Sequence, residues 1–361
     1  MLPPTYTTPT KLVDALPLGI ASMNLGRAAF HELEPKLSAA AAAGFKGVEV
    51  FYEDIKIPAR RALAAAPPGT TTFQEQLVIS AQNFRDLCDK YGLTIFVFQP
   101  FKNYDGLLSQ QRHDEKIEKL KHWFKLAKIL RTDTIQIPSM FHQDPTVATG
   151  DMDKIVADLV EVADLGAKEN PPIRFAYEIM AWGAHVDRWQ QAWKITQAVN
   201  RDNFGMCLDT YQILANIWAD CTSESGVLPN ADKILQADID EFLREVPLEK
   251  VYYVQLADAA KMSPPLSANH EWYDPKQKWV MTWSRNARLF PFEEDRGGYL
   301  PVLKMLEMWI FDWGYRGWVS MELFNRSMMD PSPSVPKDHA ERGVASWNKC
   351  VKALKLDERD A

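Results

Sequence analysis

Four oxygen-bearing side chains stand at or beside the ends of four short apolar runs. Glu178 closes residues 173–178, Asp209 closes 204–209, Gln255 lies one residue inside the end of 251–256, and Glu322 closes 318–322. A Glu/Asp/Gln/Glu set offers only oxygen donors and carries three negative charges. That combination suits a hard divalent cation, Mg²⁺ or Mn²⁺, better than zinc. Held together without a cation the carboxylates would repel, and at least one would be driven toward its protonated form. Taken singly, each reads equally well as a helix cap or the partner of a basic residue. Four on consecutive runs read as one metal site.

Other groups cluster near the same ends. Glu49, in 47–51, is suited either to joining the acidic group or to pairing with Lys102 or an arginine. His185 follows Glu178 by seven residues in Ala181-Trp182-Gly183-Ala184-His185, a loop position suited to acid–base work. His142 follows the fourth run in the same manner. Lys102, Arg285 and Arg288 are cations that, placed over an acidic metal site, would hold the carboxylate or phosphate of an anionic substrate.

The elements that must position these residues alternate along the chain. Strand-like runs at 18–23, 47–51, 93–98, 134–137, 173–178, 204–209, 251–256 and 318–322 are each followed by a helical pattern. The helices are expected at 31–43, 74–91, 110–130, 152–168, 187–199, 231–245, 299–313 and 338–355, with 52–72 as a Pro/Ala-rich connection. The runs are apolar on both faces, as strands buried on both sides require. Eight βα units predict an α/β fold, a (β/α)8 TIM barrel, in one domain over 14–361 after an irregular leader at 1–13. In a barrel all the strand ends above face one mouth. An open doubly wound sheet would carry a Gly-rich phosphate loop, and Asn24-Leu25-Gly26-Arg27 does not match one. The spacing breaks between units seven and eight, where residues 257–297 form a long excursion rich in Trp, Pro and charge. It is expected over the mouth, as a lid or a dimer contact.

Composition bounds the function. The net charge of −7 and the absence of a basic run exclude a general nucleic-acid binder. The four cysteines include no CxxC pair, which argues against a zinc cluster. Neither a signal region nor an apolar run of membrane length is present, so a cytoplasmic protein away from membranes is expected. The expected partner is a small anionic substrate, and the sequence leaves a homo-oligomer open.

Several stretches carry a resemblance. They are Val48–Asp54, Phe98–Gly106, Tyr177-Glu178 with Ala181–His185, Cys207–Gln212, Val254–Ala259, Ser284-Arg285 through Phe290-Pro291, and Ser320–Asn325. Together they resemble the xylose-isomerase-like barrels, the sugar-phosphate isomerase/epimerase group, and within it the 3-dehydroshikimate dehydratases of quinate/shikimate catabolism. The resemblance implies a metal bound by Glu178, Asp209, Gln255 and Glu322, catalytic positions at His185, Glu49 and Gln212, with the first two as the acid–base candidates, and substrate contacts from Lys102, Arg285 and Arg288. It implies dehydration of 3-dehydroshikimate to protocatechuate, with a sugar or sugar-phosphate isomerase/epimerase as the alternative on the same metal site. Three positions depart from the bacterial pattern. Lys102 stands where those members carry Arg, and Gln212 where they often carry His; Phe292–Arg296 replaces a Gly-rich turn. An amide at 212 can orient a ligand but cannot act as a base.

Overall fold

The computed structural model describes residues 9–361. In chain order its elements are β1 (Leu18–Ala21), α1 (Leu33–Ala43), β2 (Gly47–Phe51), α2 (Glu53–Ala65), α3 (Phe73–Tyr91), β3 (Thr94–Gln99), α4 (Gln110–Leu130), β4 (Thr134–Pro138), α5 (Met152–Ala167) and β5 (Arg174–Glu178). There follow α6 (Trp189–Val199), β6 (Phe204–Asp209), α7 (Thr210–Ile217), α8 (Ala231–Glu245), β7 (Val251–Leu256), β8 (Asp258–Ala259), α9 (Trp279–Ala287), β9 (Arg288–Leu289), α10 (Val302–Glu307), β10 (Val319–Met321) and α11 (Val335–Leu354). Eight strands form a closed parallel barrel in the order β1-β10-β7-β6-β5-β4-β3-β2, which is the predicted (β/α)8 architecture.

The strands are buried on both faces because the helices cover the outside and inward side chains fill the interior. The helices bury one stripe each. On α4 the stripe is Ile117, Leu120, Trp123, Phe124, Ala127 and Leu130, at the i, i+3, i+4, i+7 spacing of one helical face. Each large apolar side chain in it is worth about 1.5–3 kcal/mol of burial. Asp151 caps α5 and Thr72 caps α3, the latter with Glu75 completing a capping box.

The structure departs from the sequence expectation in four places. The connection at 52–72 contains α2, although Pro58 falls inside it. Its Ala-rich composition and the burial of Ile55 and Ala59 outweigh the lost backbone hydrogen bond. A short helix, α7, begins directly after Asp209, with Asp209 as its cap. The excursion at 257–297 is not an irregular loop; α9 and an antiparallel pair of β8 with β9 give it a frame. Glu322 lies one residue past the end of β10 rather than inside a strand. Of the expected irregular leader, residues 1–8 fall outside the described residues. Residues Leu12–Ala15 form a 3₁₀ turn whose first N–H groups bond the carbonyls of Arg359 and Leu356 at 3.0 and 3.1 Å.

One ion pair beneath the barrel mouth is fully out of water. Lys36 on α1 pairs with Asp54 on α2, and Ser22 Oγ donates to the other Asp54 oxygen at 2.6 Å. Ser22 Oγ in turn accepts from the backbone N–H of Phe51 at 3.0 Å, so the pair ties two helices to the end of β2. Burial lowers the Lys36 pKa, and Asp54 opposes that shift. Removing one partner of such a pair leaves a buried charge uncompensated. Lys36→Met is expected to lower the unfolding free energy by about 3–5 kcal/mol, read from the midpoint of a urea melt.

Candidate metal centre

Strand register brings the predicted acidic set to one end of the barrel. Asp209, the last residue of β6, lies opposite Gln255 on β7; Gln255 lies opposite Ser320 on β10. Glu178 ends β5 and lies opposite Cys207. The N–H of Glu322 bonds the carbonyl of Leu256 at 2.9 Å, which fixes the chain just past β10. Glu178, Asp209 and Glu322 each offer an oxygen within 4.8 Å of the others, and all three are buried.

Such a cluster needs compensation, and the structure supplies it from several sides. Arg288 Nη1 donates to Asp209 Oδ2 at 2.6 Å and to Glu322 Oε2 at 2.5 Å, and all three residues are buried. The Gln255 amide donates to Glu322 Oε1 at 3.1 Å and to both oxygens of Glu49 at 3.1 Å, while its own oxygen accepts from the Cys207 thiol at 3.3 Å. Gln136 on β4 donates to Glu178 Oε2. Asp209 Oδ1 accepts from the N–H of Tyr211 at 2.7 Å, the cap of α7. Burial raises the Glu178 pKa well above the usual carboxylate range, with Asp209 adding to it. Burial does the same to Glu322 against the opposing pull of Arg288. On Arg288 burial works downward, and Asp209 and Glu322 more than reverse it, so its pKa is raised.

The donor set fits a divalent cation. Three carboxylates against one guanidinium leave two negative charges uncompensated in a space shielded from water. The Gln255 amide oxygen faces the thiol rather than the carboxylates, so Gln255 serves as a fourth oxygen donor only after a half-turn of its amide.

The other sequence candidates are placed as follows. Glu49 lies below the acidic set, fully buried, and accepts from Gln99 at 2.7 Å, from Gln255 and from Ser320. Burial pushes its pKa up to about 7. Lys102 and Arg285 line the cavity above Glu178 and Glu322 and have no carboxylate partner among the described residues. Burial lowers the pKa of both, and Arg285 lowers that of Lys102 further. Arg288, expected to meet substrate, lines the same cavity, where its Nη1 is engaged by the carboxylate cluster and its Nη2 has no hydrogen-bond partner among the described residues. Gln212 lines the cavity; its Oε1 accepts the N–H of Ala181 at 2.7 Å, and its Nε2 has only the Met180 sulfur at 3.6 Å. His185 is not brought to the cavity; its ring lies against Gly150 in the connection before α5. His142 is likewise outside, in a groove with Asp274, Gln277 and Arg285. Of the excursion's aromatics, Trp283 is wholly buried and donates to the carbonyl of Ala260 at 2.8 Å.

Sequence reading missed Gln136, Gln99, Ser320 and Ser284 as parts of the site. Gln136 had a signal: a lone amide between Ile135 and Ile137 in a buried strand faces inward by alternation. Two larger hollows lie elsewhere. One, of about 590 Å³, is lined by Thr94, Lys128, Arg131, Asp133, Arg174 and Trp318 at the opposite end of the barrel. The other, of about 1170 Å³, runs beside α3 and α4. Neither holds converging carboxylates, so chemistry and not volume selects the site.

The model of the xylose isomerase-like TIM barrel family matches residues 37–350. The chain belongs to that family. It is 44% identical over 340 residues to a 3-dehydroshikimate dehydratase of Neurospora crassa, covering 94% of each chain. It is 30% identical over 296 residues to a 3-dehydroshikimate dehydratase of Pseudomonas putida, covering 81% of this chain and 36% of that one. Among solved structures, a xylose isomerase-like TIM barrel/4-hydroxyphenylpyruvate dioxygenase fusion protein superposes with a TM-score of 0.68 at 26% identity, over 95% of this chain and 44% of that one.

Within this family member, position 212 has a structural task whatever its chemical one. Gln212→Ala strands the N–H of Ala181 in the loop after Glu178 and is expected to cost about 1–3 kcal/mol, measured by denaturant unfolding.

Proposed function

We propose that the protein is a 3-dehydroshikimate dehydratase, a hydro-lyase that forms protocatechuate by removing water from 3-dehydroshikimate. The near-full-length similarity to the Neurospora crassa enzyme carries this reading, and the buried carboxylate cluster supports it chemically. Glu178, Asp209 and Glu322, with Gln255 after its amide turns, would hold Mg²⁺ or Mn²⁺. When bound, that ion is a Lewis acid that stabilises negative charge on the substrate's ketone oxygen.

The chain's own residues then have distinct tasks. Lys102 and Arg285 bind the substrate carboxylate at the mouth, where no protein carboxylate competes for them. Lys102 gives a point charge where a bidentate arginine would fix a plane, so orientation rests more on Arg285. Gln212 turns its weakly engaged Nε2 toward the cavity as a substrate donor. The proton beside the ketone is removed by a carboxylate of the cavity wall. Glu178 fits both tasks: Gln136 holds one of its oxygens, which would also serve the ion, and the other has no hydrogen-bond partner among the described residues and is left for the proton. The β-hydroxyl then leaves as water, taking up the proton that the base removed, and tautomerisation of the ring ketone gives the aromatic product. His185 is the alternative acid–base group and requires the loop after β5 to carry its ring away from Gly150. Glu49 orients Gln255 from below. The four free cysteines, all buried, suit a reducing, cytoplasmic setting. No helix is long and apolar enough to cross a membrane.

The assay is direct. Protein incubated with 3-dehydroshikimate and Mg²⁺ or Mn²⁺ is expected to generate the ultraviolet absorbance of protocatechuate; turnover of ketoses without that signal would favour the isomerase/epimerase reading. Asp209→Asn keeps an acceptor for the cap of α7 and is expected to lose more than about 100-fold in kcat while melting near the wild-type temperature. His185→Ala separates the two proton-transfer assignments: with Glu178 as base it keeps kcat within about threefold, and a loss of 100-fold or more, in the general-base range, returns the role to His185.

A further inference from the structure

Arg288 is held through its Nε and Nη1, while its buried Nη2 has no hydrogen-bond partner among the described residues. Its Nε donates to Ser284 Oγ at 2.9 Å, and its guanidinium lies 4.2 Å from the Tyr211 ring centroid and 5.1 Å from that of Phe324. Its Nη1 holds Asp209 Oδ2 and Glu322 Oε2, while Asp209 Oδ1 and Glu322 Oε1 are taken by the Tyr211 N–H and the Gln255 amide. All four oxygens of these two carboxylates are therefore already engaged. A divalent ion bound here must draw on oxygens that Arg288 holds, beside a positive charge that Ser284 and two rings keep from retreating.

We infer that Arg288 is a built-in counter-ion that competes with the divalent metal for Asp209 and Glu322. It keeps the acidic barrel end stable when no metal is bound, and it weakens the metal's hold when one is. This rests on the metal centre proposed above. The inference separates two properties of one residue, stability of the metal-free protein and metal affinity, which move in opposite directions when the charge is removed.

Calorimetric titration of the chelator-stripped full chain with Mn²⁺, together with thermal melts in chelator and in Mn²⁺, tests it. Arg288→Gln is expected to bind Mn²⁺ about tenfold or more tightly than wild type, because the nearest positive charge is gone. It is also expected to melt lower in chelator and to gain more in melting temperature from Mn²⁺ than wild type does. Arg288→Lys keeps the charge and loses the fork, so its affinity stays near wild type. Ser284→Ala frees Nε and shifts affinity in the direction of Arg288→Gln by a smaller factor. Unchanged or weaker Mn²⁺ binding by Arg288→Gln overturns the inference and makes Arg288 an organiser of the ligands instead. If Arg288→Gln does not fold, Ser284→Ala decides by the same sign: tighter binding supports competition, and equal or weaker binding overturns it. A wild-type protein that binds no Mn²⁺ removes the metal centre itself, an outcome distinct from any difference between variants.

Discussion

Three carboxylates at the C-terminal mouth of an apolar barrel repel one another, and the surrounding architecture is arranged to contain that repulsion. Arg288 enters from the excursion between units seven and eight, Gln255 from β7, and Gln136 from β4; each gives a donor to one or more of the acids. A fourth acid, Glu49, is held by Gln99, Gln255 and Ser320. Neutral amides do much of this work because they donate without adding charge, which leaves the negative potential needed to attract a cation. The mouth above carries the opposite sign, with Lys102 and Arg285 free of acidic partners among the described residues. A protein of net charge −7 thus presents positive groups at its opening and negative groups at its floor.

Much of this was legible in the sequence because period and burial are local properties. Runs such as 204–209 and 251–256 are apolar on both faces, and eight of them separated by helices leave few architectures other than a barrel. Once the barrel is granted, Glu178, Asp209 and Glu322 converge by construction. What the sequence hid depends on side-chain direction and on distant contacts. Nothing in Arg288 itself announces an internal ion pair with Asp209 and Glu322; that is set by the turn from α9 into β9 and by Ser284. His185 lies seven residues past a ligand, but the loop after β5 turns back to meet the strand-four connection, where the Ala184 N–H bonds the Met140 carbonyl at 2.8 Å, and carries the ring to Gly150. Helix α2 was concealed by Pro58, whose cost is offset by contacts with α3 that no local pattern reports.

Position 212 shows how one site can serve packing and chemistry together. Its amide oxygen holds the loop that follows Glu178, and its amide nitrogen is left with a thioether. A histidine there offers a titratable ring; glutamine offers a fixed acceptor and a fixed donor. With Glu178 as the proposed base, the absence of a titratable ring at 212 places more of the reaction's demands on Glu178 and its partner Gln136.

The origin of Arg288 has a bearing on how this barrel can be altered. It is the first residue of β9, part of an insertion that a designer would regard as the most exchangeable segment of a TIM barrel. Grafting a shorter connection between β7 and β10 that lacks this arginine would remove the charge that balances Asp209 and Glu322 and leave the scaffold with an uncompensated acidic floor. The modular boundary usually drawn between a stable barrel and its variable loops does not hold here, because part of the scaffold's charge balance is carried by the loop.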